Sequence, residues 1–174
     1  MTADPLRIRF VCTGNICRSP TAEVVLLAML AEAGLAGAAV VDSAGTGPWH
    51  AGNDMDPRAR RTLLAHGYQP PPHVAKQFVA ADFDEVDLVL AIDAGHQARL
   101  GTLARHASDP VEAAAAVRLL RSYDPAAVDG PVADLDIPDP YYDDERGFEI
   151  VLDQIERACA GLLDALGPRL GADR

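Results

Sequence analysis

The sequence predicts an α/β fold: one domain across residues 1–174, in which a four-stranded parallel sheet carries helices on both faces. Short β-rich runs alternate along the chain with longer segments of helical periodicity, the pattern of parallel strands joined by helical crossovers. No internal repeat and no wide linker divides the 174 residues, a length typical of one domain. Hydrophobic residues make up 49% of the chain, enough for a substantial core.

The predicted strands are short runs of residues that favour extended structure. The first alternates arginine with apolar side chains and ends at Cys12. The third is almost entirely apolar, so we expect it near the centre of the sheet, covered on both faces. We expect the strands at residues 6–12, 38–42, 86–92 and 116–120.

The predicted helices are marked by their composition and by the residues at their ends. A segment rich in Ala, Leu and Val follows the first strand and stops before Gly34. Pro57 and Gly67 mark the two ends of the next helix. The last helix repeats apolar residues at helical spacing, and Cys159 among them is expected in the core. We expect the helices at residues 20–33, 56–66, 93–106 and 147–170.

Charge and composition argue against several classes of function. The formal net charge of −11 disfavours nonspecific binding to nucleic acid or to an anionic membrane. No apolar run approaches the roughly 18 residues of a spanning helix, and the start of the chain lacks the pattern of a secretory signal. Three cysteines do not form a disulfide framework. We therefore expect a cytoplasmic protein, with export without a signal peptide left open.

The ends of the predicted strands bring chemically reactive residues to one edge of the sheet. In open parallel sheets, ligands bind beyond the carboxyl ends of the strands. Cys12 ends the first strand, Ser43 follows the second and Asp93 follows the third. A Pro- and Asp-rich connection at residues 124–140 is longer than most loops, which also suggests a functional role.

Residues 12–20, CTGNICRSP, have the composition of an anion-binding loop at a helix N-terminus. Ser19 is a favourable N-cap, and Pro20 suits the first helical position. Gly14 permits a tight turn, and Asn15 tolerates a left-handed backbone. The backbone N–H groups of this loop can therefore converge on one point before the helix, where the helix dipole also favours an anion.

Two further side chains give this loop its chemistry. Arg18 can bind two oxygens of a phosphate at once. Helix N-termini and neighbouring cations favour the thiolate form of a cysteine, so we expect Cys12 to be an ionised nucleophile. The Ser19 hydroxyl can donate a hydrogen bond to that sulfur. A cysteine, five intervening residues, then arginine and serine are typical of cysteine-dependent phosphatases.

The complete string CTGNICRSP at a strand-to-helix junction resembles the low-molecular-weight protein tyrosine phosphatase family. The likeness spans nearly the whole chain, and Trp49-His50 and the string LRSYDP are most similar to the actinobacterial branch. The departures are one extra residue before His73, a longer segment at residues 105–116, and Lys76 where arginine is expected. The other matching strings are VDSAGTG at residues 41–47, HVAKQ at 73–77, VLAID at 89–93, LRSYDP at 120–125 and DPYY at 139–142.

This resemblance implies hydrolysis of phosphotyrosine in proteins through a cysteinyl-phosphate intermediate, without a metal or another cofactor. Cys12 would be the nucleophile, Arg18 the phosphate clamp, and Asp139 the general acid and base. Partners would be phosphotyrosine proteins, and a cognate tyrosine kinase is compatible with this function. The other implied site residues are the phosphate-binding loop Thr13, Gly14, Asn15, Ile16, Cys17 and Ser19, the substrate pocket Trp49, Tyr141 and Tyr142, and the supports Ser43 and His73.

Three other functions stay open at this point. A protein-arginine phosphatase is the nearest, although its members typically carry Thr at the position of Ile16 and fewer aromatic residues after the acid. An arsenate reductase needs more reactive cysteines than Cys12 and Cys17. A module that binds phosphotyrosine without cleaving it would lack the nucleophile, the arginine or the acid, and this sequence has all three.

Several single residues also keep two interpretations. Cys17 is either the partner of Cys12 in a disulfide formed on oxidation or a residue packed beneath the loop. Asp139 precedes a proline, and Asp-Pro taken locally is a turn, whereas the resemblance favours the acid. Asp136 is the next candidate for the acid. Asp93 has a simpler interpretation as the N-cap of the third helix.

Overall fold

The protein is described by a computed structural model over residues 4–171. Strand β1 (Leu6–Cys12) pairs with β2 (Ala39–Gly45) on one side and with β3 (Leu88–Ala91) on the other. Strand β4 (Val117–Leu119) pairs with β3 and completes a four-stranded sheet of order β2-β1-β3-β4. All the pairings are parallel, which confirms the predicted fold class.

Helices cover both faces of this sheet. Helices α1 (Arg18–Glu32), α2 (Pro57–Ala65) and α5 (Glu145–Leu170) contribute to one hydrophobic core. Helices α3 (Ala94–Ala104) and α4 (Pro110–Ala116) contribute to a second core on the opposite face. No helix in the part of the chain that the structure describes is long and apolar enough to cross a membrane.

The side chains of β1 alternate between the two cores because successive residues of a strand point to opposite faces. Ile8 and Phe10 lie in the first core, and Val11 lies in the second. Cys159 of α5 is completely buried in the first core, as the sequence predicts. Because both faces of the sheet are covered, a ligand can reach the central strands only at their ends, where the connecting loops lie.

Helix α4 was not predicted from the sequence. The Asp109 carboxylate accepts hydrogen bonds from the N–H groups of Val111 and Glu112, and Pro110 occupies the first helical position. These are ordinary helix start signals, but the helix has only seven residues and leads directly into β4. In the sequence, its four alanines could therefore not be distinguished from the start of the apolar strand that follows.

The connection before α5, here called the 124–144 loop, carries little regular structure, as predicted. It contains one short 3-10 turn, Val132–Leu135. Just after this turn Ile137 is almost completely buried, and its N–H donates to the carbonyl of Ile92 at 3.1 Å. This bond fixes the loop against the carboxyl end of β3, at the edge where the ligand is expected.

Candidate active site

The cysteine loop, residues 12–19, joins the carboxyl end of β1 to α1. The predicted N-cap at Ser19 is wrong, because α1 begins at Arg18 and follows Cys17, whose side chain makes no capping bond. Pro20 is then the third helical residue, at a position whose N–H would have no partner inside the helix. Since the Ser19 hydroxyl is used inside the loop, the N–H groups of the first turn remain available to an external acceptor such as an anion.

Cys12 is buried at the end of β1, with its sulfur beside a hydroxyl. The Sγ of Cys12 lies 2.9 Å from the Oγ of Ser19. Asn15 Nδ2 donates to the same Oγ at 2.9 Å, so the proton of Ser19 is free to point at the sulfur. The carbonyl of Ala44, at 3.3 Å, is the weaker alternative acceptor for that proton. The Ser19 hydroxyl can therefore donate its hydrogen bond to the sulfur of Cys12.

Asn15 fixes the shape of the cysteine loop. Its φ is 58°, the only positive value for a residue other than glycine within residues 4–171, and this confirms the predicted left-handed conformation. The side chain is completely buried. Its Nδ2 donates to the hydroxyls of Ser19 and Ser43, both at 2.9 Å, and its Oδ1 accepts the N–H of Lys76 at 3.0 Å. One amide thus ties three segments together.

Ser43 and His73, predicted as supports, both lie against this loop. Ser43 accepts from Asn15 and donates to the Glu23 carboxylate at 2.5 Å. Burial raises the pKa of Glu23, and the bond from Ser43 acts in the opposite direction. His73 Nε2 donates to the backbone carbonyl of Asn15 at 2.7 Å. Side chain and main chain of Asn15 are therefore both held from outside the loop.

Arg18 is 4% exposed and lies between two carboxylates. Its Nη1 donates to Asp93 at 3.0 Å and to the carbonyl of Ile137 at 2.9 Å, and its Nη2 is 3.6 Å from Asp139 Oδ2. Asp93 also accepts the N–H of His96 at 2.9 Å, so it is the predicted N-cap as well as the partner of Arg18. The ion pair was not foreseen, because its two members are far apart in the sequence.

A buried histidine of α3 supports the same loop and was also missed. His96 Nε2 lies 2.8 Å from Thr13 Oγ1, while its Nδ1 lies 3.1 Å from Asp93 Oδ1 in a geometry that makes no hydrogen bond. Burial lowers the pKa of His96 to about 4, although the Asp93 carboxylate opposes this shift. His96 is therefore neutral at pH 7. Its only sequence signal was its place in the first turn of a predicted helix.

Asp139 reaches the cysteine loop from the 124–144 loop. Its side chain is 52% exposed, and Oδ1 accepts the N–H of Tyr141 at 3.1 Å. That bond is the turn expected of aspartate before proline, but the other oxygen faces Arg18 at 3.6 Å. Asp136, the alternative acid, instead accepts the N–H of Ala94 at 2.8 Å, at the start of α3. Asp139 therefore lines the cleft, whereas Asp136 is bonded to α3.

One cleft of about 340 Å³ brings the predicted groups together. The Tyr141 and Tyr142 rings meet edge to face with centroids 4.9 Å apart, and the His50 ring lies 6.1 Å from Tyr141. Trp49 and Tyr142 are 70% and 94% exposed, so they stand at the mouth of the cleft. His50 was not predicted as a site residue, although it is next to Trp49. The residues that line the cleft are Cys12, Thr13, Gly14, Ile16, Cys17, Arg18, Trp49, His50, Asp139, Tyr141 and Tyr142.

Cys17 lies on the same loop as Cys12 but in a different environment. Burial raises the pKa of the Cys17 thiol, and the negative charge of Asp56 adds to this shift. Cys17 is therefore a protonated thiol at neutral pH, and neither cysteine is in a disulfide. Over residues 4–171, no three His, Cys, Asp or Glu side chains are grouped so that they could hold a metal ion.

Comparisons with known proteins identify the family. The family model described as low molecular weight phosphotyrosine protein phosphatase matches residues 7–170. The chain belongs to this family. It is 52% identical over 160 residues to the low molecular weight protein-tyrosine-phosphatase of Streptomyces coelicolor, a match that covers 92% of this chain and 93% of that protein. The family and the enzyme class predicted from the cysteine loop are both confirmed.

Solved structures share this fold over most of the chain. A protein tyrosine phosphatase from Entamoeba histolytica superposes with a TM-score of 0.83 at 31% identity, covering 94% of this chain and 97% of that one. A Drosophila arginine phosphatase superposes with a TM-score of 0.81 at 30% identity, covering 92% and 97%. The same fold thus occurs in a protein described as a tyrosine phosphatase and in one described as an arginine phosphatase.

Proposed function

We propose that this enzyme hydrolyses phosphotyrosine in proteins through a phosphorylated Cys12. The observation that supports this most directly is the meeting of Cys12, Arg18 and Asp139 in one cleft, which Tyr141 and Tyr142 also line. A nucleophile, a phosphate clamp and an acid are the groups that phosphoryl transfer to sulfur requires. Aromatic walls suit a substrate whose phosphate is attached to a flat ring.

In the first step the sulfur of Cys12 attacks phosphorus. The S–P bond forms as the bond between phosphorus and the tyrosine oxygen breaks. Asp139, protonated at this stage, transfers its proton to the departing oxygen. Arg18 and the backbone N–H groups of residues 13–18 bind the three other phosphate oxygens and stabilise the charge of the transition state.

The orientation of Arg18 suits this role. Its Nη1 is engaged by Asp93 and by the carbonyl of Ile137, so the guanidinium is fixed before substrate arrives. The opposite edge, formed by Nε and Nη2, is the one that would meet two phosphate oxygens. Nη2 is already 3.6 Å from Asp139, which places the clamp and the acid next to each other.

In the second step Asp139, now a carboxylate, takes a proton from a water molecule whose oxygen attacks phosphorus. The S–P bond breaks, and inorganic phosphate leaves with Cys12 again a thiolate. The Ser19 hydroxyl, 2.9 Å from the sulfur, stabilises that leaving thiolate by a hydrogen bond. The net charge of −11 does not prevent binding, because exposed charges are largely screened beyond about 8–10 Å while the loop contacts the phosphate.

Phosphoarginine is the second candidate substrate, favoured by the structural likeness to the Drosophila arginine phosphatase. Ile16 in the cleft, rather than threonine, and the pair Tyr141 and Tyr142 favour the flat ring of tyrosine. Turnover of a phosphotyrosine peptide, a phosphoarginine peptide and arsenate, measured side by side, separates the alternatives. We expect the phosphotyrosine peptide to be preferred. Faster turnover of phosphoarginine would contradict the proposal, and binding of phosphotyrosine without turnover would indicate a binding module.

The role of Asp139 is tested by leaving groups of different acidity. Rapid-mixing release of phenol measures the first step alone. We expect Asp139→Asn to slow this release about 10²–10³-fold with phenyl phosphate. With 2,4-dinitrophenyl phosphate the loss should be much smaller, because that leaving group needs little proton donation. Equal losses would mean that another group, first of all Asp136, is the acid.

A further inference from the structure

A buried arginine outside the catalytic cleft holds the loop that carries Asp139. Arg121 follows β4 in the 3-10 turn Leu120–Tyr123 and is 8% exposed. Its Nη1 donates to the backbone carbonyl of Asp134 and approaches that of Asp136 at 3.5 Å. A guanidinium presents five N–H donors in one rigid plane, so it can hold two backbone groups in a fixed relation.

The other side of this guanidinium is fixed by a buried carboxylate. Arg121 Nη2 lies 3.3 Å from the Oδ2 of Asp124, which is completely buried. Arg157 of α5, which is 40% exposed, approaches the same oxygen at 3.4 Å. Because the guanidinium is rigid, the pair with Asp124 also sets where Arg121 Nη1 points. The loop carbonyls are thereby held in a fixed position relative to the rest of the protein.

This arginine is an unusual choice if it serves stability alone. Its Nε is buried and has no hydrogen-bond partner in the described chain. An ionic pair taken out of water with one donor unsatisfied contributes little to stability compared with apolar packing. The contacts of Arg121 with the loop carbonyls are what an apolar residue could not replace.

The anchored part of the loop is directly followed by the acid. The Asp136 carboxylate accepts the N–H at the start of α3. Ile137 is buried, its N–H donates to the carbonyl of Ile92, and its own carbonyl accepts from Arg18. Asp139 comes two residues later. Its side chain is half-exposed and accepts a hydrogen bond from the N–H of Tyr141 in the same loop. The position of the carboxyl group therefore depends on where residues 134–137 are held.

We infer that Arg121 is a positioning residue for the general acid: its guanidinium keeps the 124–144 loop where Asp139 meets the leaving oxygen. Arg18 also anchors this loop, but Arg18 binds the phosphate, so its two roles cannot be separated by mutation. Arg121 holds the loop without lining the cleft. The inference rests on the proposed role of Asp139 and is tested so that the two fail separately.

Arg121→Lys is the first variant, because it keeps a positive charge beside Asp124 and loses the planar fork. We expect phenol release from phenyl phosphate to fall about 10-fold, a part of what the acid contributes. Release from 2,4-dinitrophenyl phosphate should change less than about twofold, since little proton donation is needed there. Arg157→Gln is the matched control: it touches Asp124 but not residues 132–137, and both rates should stay within about twofold of wild type.

The same substitution in an Asp139→Asn background decides whether Arg121 acts through the acid. Arg121→Lys should then have no further effect, within about twofold, because there is no acid left to position. An additive loss, or equal losses with both leaving groups, overturns the inference and assigns Arg121 to the site as a whole. If Asp139→Asn itself shows no dependence on the leaving group, the proposed function fails instead.

A second experiment removes the Arg121 side chain and then supplies its functional group as free guanidinium ion. Arg121→Ala opens a cavity beside the loop carbonyls, and dilute guanidinium ion should restore the phenyl phosphate rate several-fold. The double variant with Asp139→Asn should show no such rescue. Circular dichroism and thermal unfolding check the fold of each protein. If both Arg121 variants fail to fold, the residue serves the fold rather than the acid, and the inference is wrong.

Discussion

The cysteine loop and the 124–144 loop both line the cleft, but they are held in place in different ways. Asn15, Arg18 and Ser19 are all buried, and their polar groups are joined by bonds of ordinary length. The tip of the 124–144 loop is open to solvent: the Asp139 side chain is 52% exposed and Tyr142 is 94% exposed. This second loop is fixed upstream of its tip, through backbone groups of residues 134–137 and through the Asp136 carboxylate.

In the proposed mechanism, this difference corresponds to what each loop must bind. The three equatorial oxygens of a phosphate have the same geometry in every substrate, so their binding site can be built once, from backbone and buried side chains. The leaving group differs among protein substrates in its surroundings, and it is met by an exposed segment. We therefore expect changes in the cysteine loop to act on all substrates alike, and changes in the 124–144 loop to depend on the leaving group.

The substitution that removes the nucleophile and leaves the rest of the cysteine loop in place should have the greatest effect. Cys12→Ser should lower turnover by at least about 10⁴-fold with every leaving group. Phosphate binding, measured by calorimetry, should stay within about threefold of wild type, because backbone N–H groups and Arg18 do the binding. Turnover near the wild-type rate would contradict the mechanism, and loss of phosphate binding would contradict the comparison of the loops.

Two replacements of Asn15 should have the next greatest effect. They separate the contribution of its backbone conformation from that of its side chain. Asn15→Gly permits the positive φ but loses the amide, and should destabilise the protein by about 2–3 kcal/mol. Asn15→Ala adds the cost of a left-handed backbone, about a further 1 kcal/mol. Urea unfolding measures both. Phenol release should fall equally with phenyl and dinitrophenyl phosphates, and a loss that depends on the leaving group would contradict the comparison.

A pH effect on stability should arise from His96. Burial lowers its pKa from 6.5 to about 4, so between these values the unfolded state binds more protons than the folded state. Stability from this residue is therefore complete above pH 6.5 and is lost as the pH falls toward 4, by about 1–3 kcal/mol. Urea unfolding of wild type and His96→Gln at pH 7 and pH 4.5 isolates this contribution. The same pH dependence in both proteins would contradict it.

The two cysteines of the cysteine loop should respond differently to oxidation, and this difference should have the smallest effect on activity. Mild peroxide should inactivate the enzyme by oxidising Cys12, and Cys17 should trap it as a disulfide that thiols reduce. Cys17→Ser should keep its activity and recover several-fold less after peroxide and thiol treatment. Mass spectrometry of the peroxide-treated wild type should show a Cys12–Cys17 bond. Equal recovery of both proteins would mean that Cys17 only packs beneath the loop, as its burial also allows.

Local chemistry was enough to predict the parts of the site that lie close together in sequence. The strand ending at Cys12, the left-handed Asn15 and the turn at Asp139 each follow from neighbouring residues. The N-cap at Ser19 was predicted by the same reasoning and was wrong. That hydroxyl is taken by Cys12 and Asn15 inside the loop, a competition that no propensity describes.

The rest of the site depends on contacts between segments that are distant in the sequence. Asp93 meets Arg18 across 75 residues, and Arg121, in the turn after β4, meets the carbonyl of Asp134 across 13 residues that carry little regular structure. Neither pair leaves a periodic or compositional signal. His96 was equally hidden, since an isolated histidine in a helix gives no indication that its side chain is buried against Thr13.

The proposed mechanism requires that the phosphoryl group passes from the substrate to the sulfur of Cys12 before water receives it. Wild-type enzyme is mixed rapidly with 2,4-dinitrophenyl phosphate, denatured within one turnover, digested and examined by peptide mass spectrometry. We predict one phosphoryl group on the peptide that contains Cys12, appearing as fast as dinitrophenol is released and absent in Cys12→Ser. A phosphoryl group on another residue, or steady turnover with no phosphorylated peptide at any time, would contradict the account.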